Sequence, residues 1–191
     1  FYHLVYAGRG KRLRRQDLDA DRTRRLLDAI LDRTAGLHAA GHPAEVLTVD
    51  NHADGPYLYL RLAERDSARA AWALGLLRRS GGNRSGSAIA CVSWDGQVHP
   101  DQFWRNHTVG NVLRRPLSSI WTDASIELLA RLRGDRRALL PGRCTGCRFF
   151  DICNGNLRAR AEAVTGDPWA CDPACYLTDA EITGPAPEDG V

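Results

Sequence analysis

Five of the six cysteines, Cys144, Cys147, Cys153, Cys171 and Cys175, fall within 32 residues of a 191-residue chain. Cys144-Thr145-Gly146-Cys147 is a C-x2-C knuckle, and its glycine lets two thiolates face one centre. Cys153 follows after five residues and Cys175 after 21 more, with Cys171 four positions ahead of it. Soft thiolates select zinc, copper(I) or iron–sulfur clusters. A structural zinc ion usually takes two tight knuckles. The looser second half here suits a group larger than one ion, held by irregularly spaced loops. Zinc stays open as an alternative, as do disulfides or free thiols, though nothing marks the chain as exported. The fourth ligand is Cys175 or Cys171, since both lie in a proline-broken segment able to fold back over the knuckle. Cys91, far upstream, is expected to be a small buried residue.

The composition, 43% hydrophobic and 26% charged, is ordinary for a globular protein and excludes a collagen-like or wholly disordered chain. No apolar run approaches the ~18 residues of a membrane helix, and no secretory signal is visible. A cytoplasmic location is therefore expected, without a membrane partner. The net charge is only +3, and the basic clusters are interleaved with Asp, which argues against a nucleic-acid partner. The chain opens on Phe1, contains no Met, and begins with FYHLVYAGRG, which reads as a buried strand entering a turn. We therefore expect a piece of a longer protein.

The elements that must position the cysteines follow from periodicity. Phe1 to Tyr6 read as a strand, with Ala7-Gly8-Arg9-Gly10 turning after it. Leu26, Leu27, Ile30, Leu31, Thr34 and Leu37 mark a helix that starts at a cap among Asp17 to Asp21 and stops at Gly41-His42-Pro43. Val46 to Val49 and Tyr57 to Leu62 read as further strands or extended segments. Glu64 to Ser80 read as a helix with Ala68, Ala71, Trp72, Leu74, Gly75 and Leu76 inward. Such strand–helix alternation suggests βα units with parallel pairing. The Gly- and Ser-rich stretch 81–87 marks a boundary. Beyond it, Ala88 to Trp94 and Gln97 to His99 read as a hairpin turned by Asp95-Gly96 in a type I′ turn. Pro116 to Arg133 read as one helix with Leu117, Ile120, Trp121, Ile126, Leu128, Leu129 and Leu132 as its apolar set.

Together with the cysteine spacing, Trp94-Asp95-Gly96-Gln97-Val98-His99-Pro100, Val109-Gly110-Asn111-Val112 and Leu117-Ser118-Ser119-Ile120-Trp121 resemble a SPASM domain, the cluster-binding extension of many radical S-adenosylmethionine (SAM) enzymes. Tyr2 to Gly10, Leu47 to Gly55, His99 to Trp104, Asp151 to Asn156, Thr165 to Trp169 and Asp172 to Leu177 resemble the radical SAM proteins of haem d1 biosynthesis, the NirJ family. The resemblance implies an α/β fold. Residues 1–82 would be the last βα units of a partial (β/α) barrel. Residues 83–183 would be a small α+β SPASM domain with a β-hairpin and a cysteine-rich segment, and 184–191 a disordered tail. A full SPASM domain holds two auxiliary clusters. Here one cysteine position, counted from Gly96, is Asp101; its partner near Ser80 to Gly86 is missing, and the position four after Cys153 is Leu157. The resemblance thus implies one auxiliary [4Fe–4S] cluster on Cys144, Cys147, Cys153 and Cys175, with Cys171 as the alternative fourth ligand.

The C-x3-C-x2-C signature that binds the SAM-cleaving cluster is absent. SAM and a second cluster would belong only to the intact protein, and this chain alone is expected to be inactive. The implied reaction is radical removal of propionate side chains from 12,18-didecarboxysirohaem, with a ferredoxin or flavodoxin as electron donor. A tetrapyrrole is rich in carboxylates, so Arg9, Arg12 and Arg84 are candidate substrate contacts. His52, in a loop at what would be a barrel mouth, is the candidate catalytic residue. His99 and His107 are expected to be structural, and Trp94, Trp104 and Trp121 to be core. The rival readings are an iron-coproporphyrin decarboxylase of alternative haem synthesis, a peptide maturase (disfavoured by the missing cysteines) and a non-catalytic zinc module.

Overall fold

A computed structural model describes residues 1–187. Its first half is helical. Gly8–Gln16 form a 3-10 helix with no buried residue, in place of a short turn. Helix α1 (Ala20–Ala39) starts where Asp19 accepts the Arg22 N–H at 2.8 Å, an N-cap within the expected acidic run. It buries Thr23 and Leu27. The expected strands at 1–6 and 46–49 are reduced to one parallel bridge between Tyr2 and Val49. The His3 N–H donates to Val49 O, and the Val49 N–H donates to Phe1 O, both at 3.1 Å. A pair of extended segments with no third neighbour does not propagate into a sheet.

Tyr57 to Leu62 are helical, contrary to the extended reading. Helix α2 (Asp54–Ala63) is nucleated by the Asn51 side chain, which accepts the Ala53 N–H at 3.1 Å. Pro56 falls in the first turn, where a missing N–H costs nothing. Of the apolar run that looked like a strand, only Tyr57 is buried, and residues 58–62 are partly buried around the helix. Helix α3 (Ser67–Ser80), capped by Asp66, is also phased differently from the sequence reading. Leu74 is buried as expected, but Ala70 and Ala73 join it in place of Ala68 and Ala71, and Trp72 is 67% exposed.

The second half holds a three-stranded antiparallel sheet, β1 (Cys91–Val92), β2 (Gln97–His99) and β3 (Gly110–Asn111), in that order. Cys91 pairs with His99 and Val98 with Gly110. The hairpin is present, but its turn is not type I′. Gly96 has φ +80° and Asp95 is not in the left-handed region. Ser93 N–H donates to Gln97 O and Gly96 N–H to Ser93 O, closing a three-residue loop with a left-handed glycine. Trp94, at the tip, is 92% exposed rather than core. The expected long helix is two, α4 (Leu117–Trp121) and α5 (Glu127–Arg133), because Asp123 turns the chain by accepting the Ser125 N–H and O–H. Short helices α6 (Gly142–Thr145) and α7 (Phe150–Cys153), then α8 (Arg158–Thr165) and α9 (Asp179–Thr183), complete the described chain.

The 81–87 stretch is packed rather than loose. A Cβ on Gly82 (φ +65°) would lie 2.4 Å from the Cys153 carbonyl, so only glycine permits this approach. One core joins Leu27, Tyr57 and Leu74 to Phe149, Ile152, Tyr176 and Ile182. A second joins Val5 to Trp104, Leu132 and Leu157. The two halves of the chain therefore share buried surface. Of the expected tail, Pro185 O accepts from Arg148 at 2.6 Å and Pro187 is buried. Residues 188–191 lie outside the described residues.

Candidate metal centre

The cysteine segment is a chain of tight turns. Helix α6 delivers Cys144, and the Cys147 N–H donates to Cys144 O at 3.1 Å, closing the knuckle. Helix α7 ends on Cys153. Asn154, Gly155 and Asn156, all at positive φ, then swing the backbone away from it. Cys144, Cys147, Cys153 and Cys175 line one small cavity of about 30 Å³, together with Gly155 and Asp172. Cys171 sits beside this set, its Sγ 3.2 Å from the Sγ of Cys144. No two of the six cysteines form a disulfide. Cys91, half-buried on β1, is not part of the cavity lining. Among the described residues, no three His, Cys, Asp or Glu side chains are set to grip a single metal ion. The thiols surround a space rather than converging on a point.

Burial dominates the chemistry of these thiols. It pushes Cys144 up to about 12, with help from its contact with Cys171. It also raises Cys147, and it raises Cys153 well above the usual thiol range. Left alone they are protonated, so a soft cation taking them as thiolates must displace their protons. Two guanidinium groups stand close by. Arg143 Nη1 is 3.5 Å from Cys175 Sγ, and Arg158 is fully buried. Arg158 donates to Gly155 O, to Pro168 O at 2.9 Å and to Ala170 O at 2.6 Å.

The loops are held in register by Asp172. Its carboxylate takes both arms of buried Arg160, at 2.8 and 2.9 Å, and caps the N–H groups of Leu157 and Ala174 at 2.9 Å each. One carboxylate thereby ties the backbone after Cys153 to the backbone before Cys175. Asn51 donates to Ala174 O at 3.0 Å, and Asn156 donates to Asn51 Oδ1 at 2.7 Å while accepting the His52 N–H. These contacts fasten the cysteine loops to the N-terminal half. The sequence reading did not single out Asp172, Asn156 or Arg158. Asp172 stood in view between two cysteines, but Arg158 was hidden among many arginines.

The place where the resemblance puts a second cluster is differently built. Ser85 Oγ donates to Asp101 Oδ2, and Asp101 Oδ1 accepts the Phe103 N–H at 2.8 Å. Buried Arg136 reaches across to Asn83 Oδ1 at 2.9 Å and Ser85 O at 2.7 Å. Leu157 is buried against Trp104 and Leu132. A compact polar knot fills the corner.

Residues 84–148 match the SPASM family, described as an iron-sulfur cluster-binding domain. The chain is 56% identical over 185 residues (95% of this chain) to Fe-coproporphyrin III synthase of Methanosarcina barkeri. It is 46% identical over 187 residues (96% of this chain) to pre-heme d1 synthase of Dinoroseobacter shibae. A third relative, AdoMet-dependent heme synthase of Nitratidesulfovibrio vulgaris, is 30% identical over 98 residues, which are 51% of this chain and 25% of that protein. All three relatives are named as synthases of haem-type products, one of them AdoMet-dependent, and with the SPASM match they bear out the recognition made from motifs. The chain spans about half the length of the first two, 46% and 45%. No solved structure matches it.

The remaining candidates sit around the SPASM domain without converging. His52 lines a cavity of about 430 Å³ with Leu27, Ile30, Thr34, Tyr57 and Leu77. Burial, and then the charge of Arg160, lower its pKa, so it is a neutral imidazole at pH 7. Arg9 and Arg12 are exposed on the 3-10 helix, three residues apart and hence on one side. Arg84 is exposed in the loop before the hairpin. His99 is held at both nitrogens, by Ser93 at 2.7 Å and by the His107 carbonyl at 2.8 Å. His107 meets Glu162 at 2.8 Å. Both are structural, as expected. Trp104 is core, at 1% exposure, and donates to Glu162. No helix among the described residues is long and apolar enough to cross a membrane.

Proposed function

We propose that this chain is the auxiliary-cluster portion of a radical SAM enzyme of haem synthesis, and that it holds one [4Fe–4S] cluster on Cys144, Cys147, Cys153 and Cys175. The observation that carries the reading is the cavity shared by those four thiols. Cysteine-only ligation from irregular loops suits a cluster, in which each thiolate binds a different iron. A mononuclear zinc ion would draw its sulfurs to about 2.3 Å from one point. Cys171, against Cys144, is the reserve ligand. When bound, the cluster supplies one-electron exchange, its potential set by burial and by hydrogen bonds to its sulfurs. The chain's own residues fix the loops (Asp172), shield the thiols (Phe150, Leu177) and couple them to the His52 loop (Asn51, Asn156).

The substrate of the intact enzyme is, on this reading, an iron tetrapyrrole. Residues 1–82 would close its partial barrel, and the remaining half would carry the SAM-binding cluster. Arg9, Arg12 and Arg84, all exposed, would meet substrate carboxylates. The two longest matches are named for different products, Fe-coproporphyrin III and pre-haem d1. Assays of the full-length enzyme with each tetrapyrrole decide between those routes. For this chain, anaerobic reconstitution followed by iron and sulfide analysis is the test. About four irons and four sulfides per chain, with a brown colour and broad absorption near ~400 nm, are expected. A colourless protein with a single zinc ion would overturn the cluster reading.

A further inference from the structure

Arg158 is the odd buried group. It is 0% exposed and forms no ion pair among the described residues. Its Nη atoms go to three neutral carbonyls. The carboxylate that might have balanced it, Asp172, is engaged by both arms of Arg160. A second buried cation, Arg136, is likewise bonded to carbonyl and amide oxygens. Three buried arginines, Arg136, Arg158 and Arg160, thus face two buried carboxylates, Asp101 and Asp172, and one positive charge is left over, which is costly unless an anion completes it. Among the described residues, Arg158 Nε is the buried side-chain nitrogen or oxygen left without a hydrogen-bond partner. Its position is informative. A Cβ added to Gly155, which lines the thiol cavity, would lie 3.6 Å from that Nε.

We propose that Arg158 is the built-in counter-charge of the cluster, its free Nε–H serving as a hydrogen-bond donor to a sulfur of the bound group. This rests on the cluster reading above. A [4Fe–4S] core held by four thiolates carries two negative charges, and three after one-electron reduction. A fixed cation therefore stabilises the reduced state more than the oxidised one and raises the reduction potential. The unpartnered N–H and the missing carboxylate have one explanation, since the thiolate-bound group supplies both acceptor and charge. Arg158 would be a positioning and tuning residue; it takes no part in bond making.

The test is a potentiometric titration of the reconstituted 191-residue chain, followed by EPR of the reduced cluster. Arg158→Gln is expected to keep four irons and shift the oxidised-to-reduced ratio at least tenfold toward oxidised at fixed potential. That is about 59 mV more negative for a one-electron couple. Arg158→Lys, which keeps the charge but loses the planar donor, should recover much of the shift. Four irons with an unchanged potential in Arg158→Gln would overturn the proposal and leave the cluster reading intact. Absence of iron and sulfide from the unaltered chain would instead remove the reading beneath it. Should Arg158→Gln fail to load iron, pulsed EPR decides on an Arg143→Lys chain labelled with nitrogen-15 arginine. With the other neighbouring guanidinium gone, a nitrogen coupled strongly to the reduced cluster supports the assignment, and its absence refutes it.

Discussion

Two corners of the molecule, side by side along the chain, have opposite chemistry. At one, four thiols line a cavity beside Asp172, Asn156 and the Arg143 guanidinium, and a buried N–H, Arg158 Nε, has no acceptor. At the other, Asn83, Ser85, Asp101 and Arg136 bond one another, and no buried side-chain nitrogen or oxygen lacks a partner. Buried polar groups are costly unless satisfied, so the first corner reads as incomplete and the second as finished. In terms of the two-cluster plan the sequence resembles, one site keeps the means to take up a cluster. The other is filled by polar side chains that satisfy one another's hydrogen bonds.

The largest effect should come from exchanging a sulfur at the open corner. Cys147→Ser removes a soft ligand, and iron per chain should fall to a small fraction of the native value. Asp101→Ala at the sealed corner should leave iron content unchanged while costing about 1–3 kcal/mol of stability, since Ser85 and the Phe103 N–H lose a buried acceptor. Cys91→Ser should affect neither. Iron analysis beside thermal unfolding separates the two corners. Equal iron loss from Cys147→Ser and Asp101→Ala would erase the distinction between them.

The open corner is far more legible in the sequence than the sealed one. Cysteine spacing can be read without knowing the fold, so spacing and motif likeness group Cys144, Cys147 and Cys153 with either Cys175 or Cys171. What replaces the missing cysteines is not readable, because Asp101 meets Ser85, and Arg136 meets Asn83 and Ser85, only through tertiary contacts. The elements divide in the same way. The cap of α1 and the hairpin are local, and the sequence shows both. The α2 segment misleads because Tyr57 to Leu62 has an apolar run that both helix and strand accept; the deciding Asn51 turn and Pro56 lie just upstream. The phase of α3 is hidden because Trp72 looks like core by type, while packing against α2 and α7 selects Ala70, Ala73 and Leu74.

The next effect concerns the seam both corners share. Asp172 holds Arg160 with two bonds, and both side chains are essentially inaccessible, 1% and 0%. Asp172→Asn would leave a buried guanidinium without its counter-charge and loosen the turns before Cys175 and after Cys153. Breaking one partner of such a pair costs about 3–5 kcal/mol, or about 6–20 °C in Tm for a chain of this size. Differential scanning of the metal-free protein reads the cost directly. A loss near that of an exposed ion pair, ~0–1 kcal/mol, would show that the seam carries little.

The smallest effect is a pH dependence, and it tests whether the His52 loop is as closed as the thiol corner beside it. Burial keeps the His52 imidazole neutral, lowering its pKa from the ordinary value of 6.5. Between the lowered native value and about 6.5, the unfolded chain binds the proton more readily than the folded one. Stability therefore rises with pH across that window and is lost as pH falls through it. Glu162 and Glu181, whose pKa values are lowered from 4.5 by hydrogen bonds and by His107 or Arg24 that outweigh their burial, act only at more acid pH and do not blur the window. His52→Gln should flatten the slope of Tm against pH between about 5 and 6.5 by on the order of a degree or two, and leave the slope above pH 7 untouched. An unchanged slope would mean that His52 is open to water and accepts a proton freely. The ~430 Å³ cavity it lines would then be a surface groove rather than a protected site next to the cysteine loops.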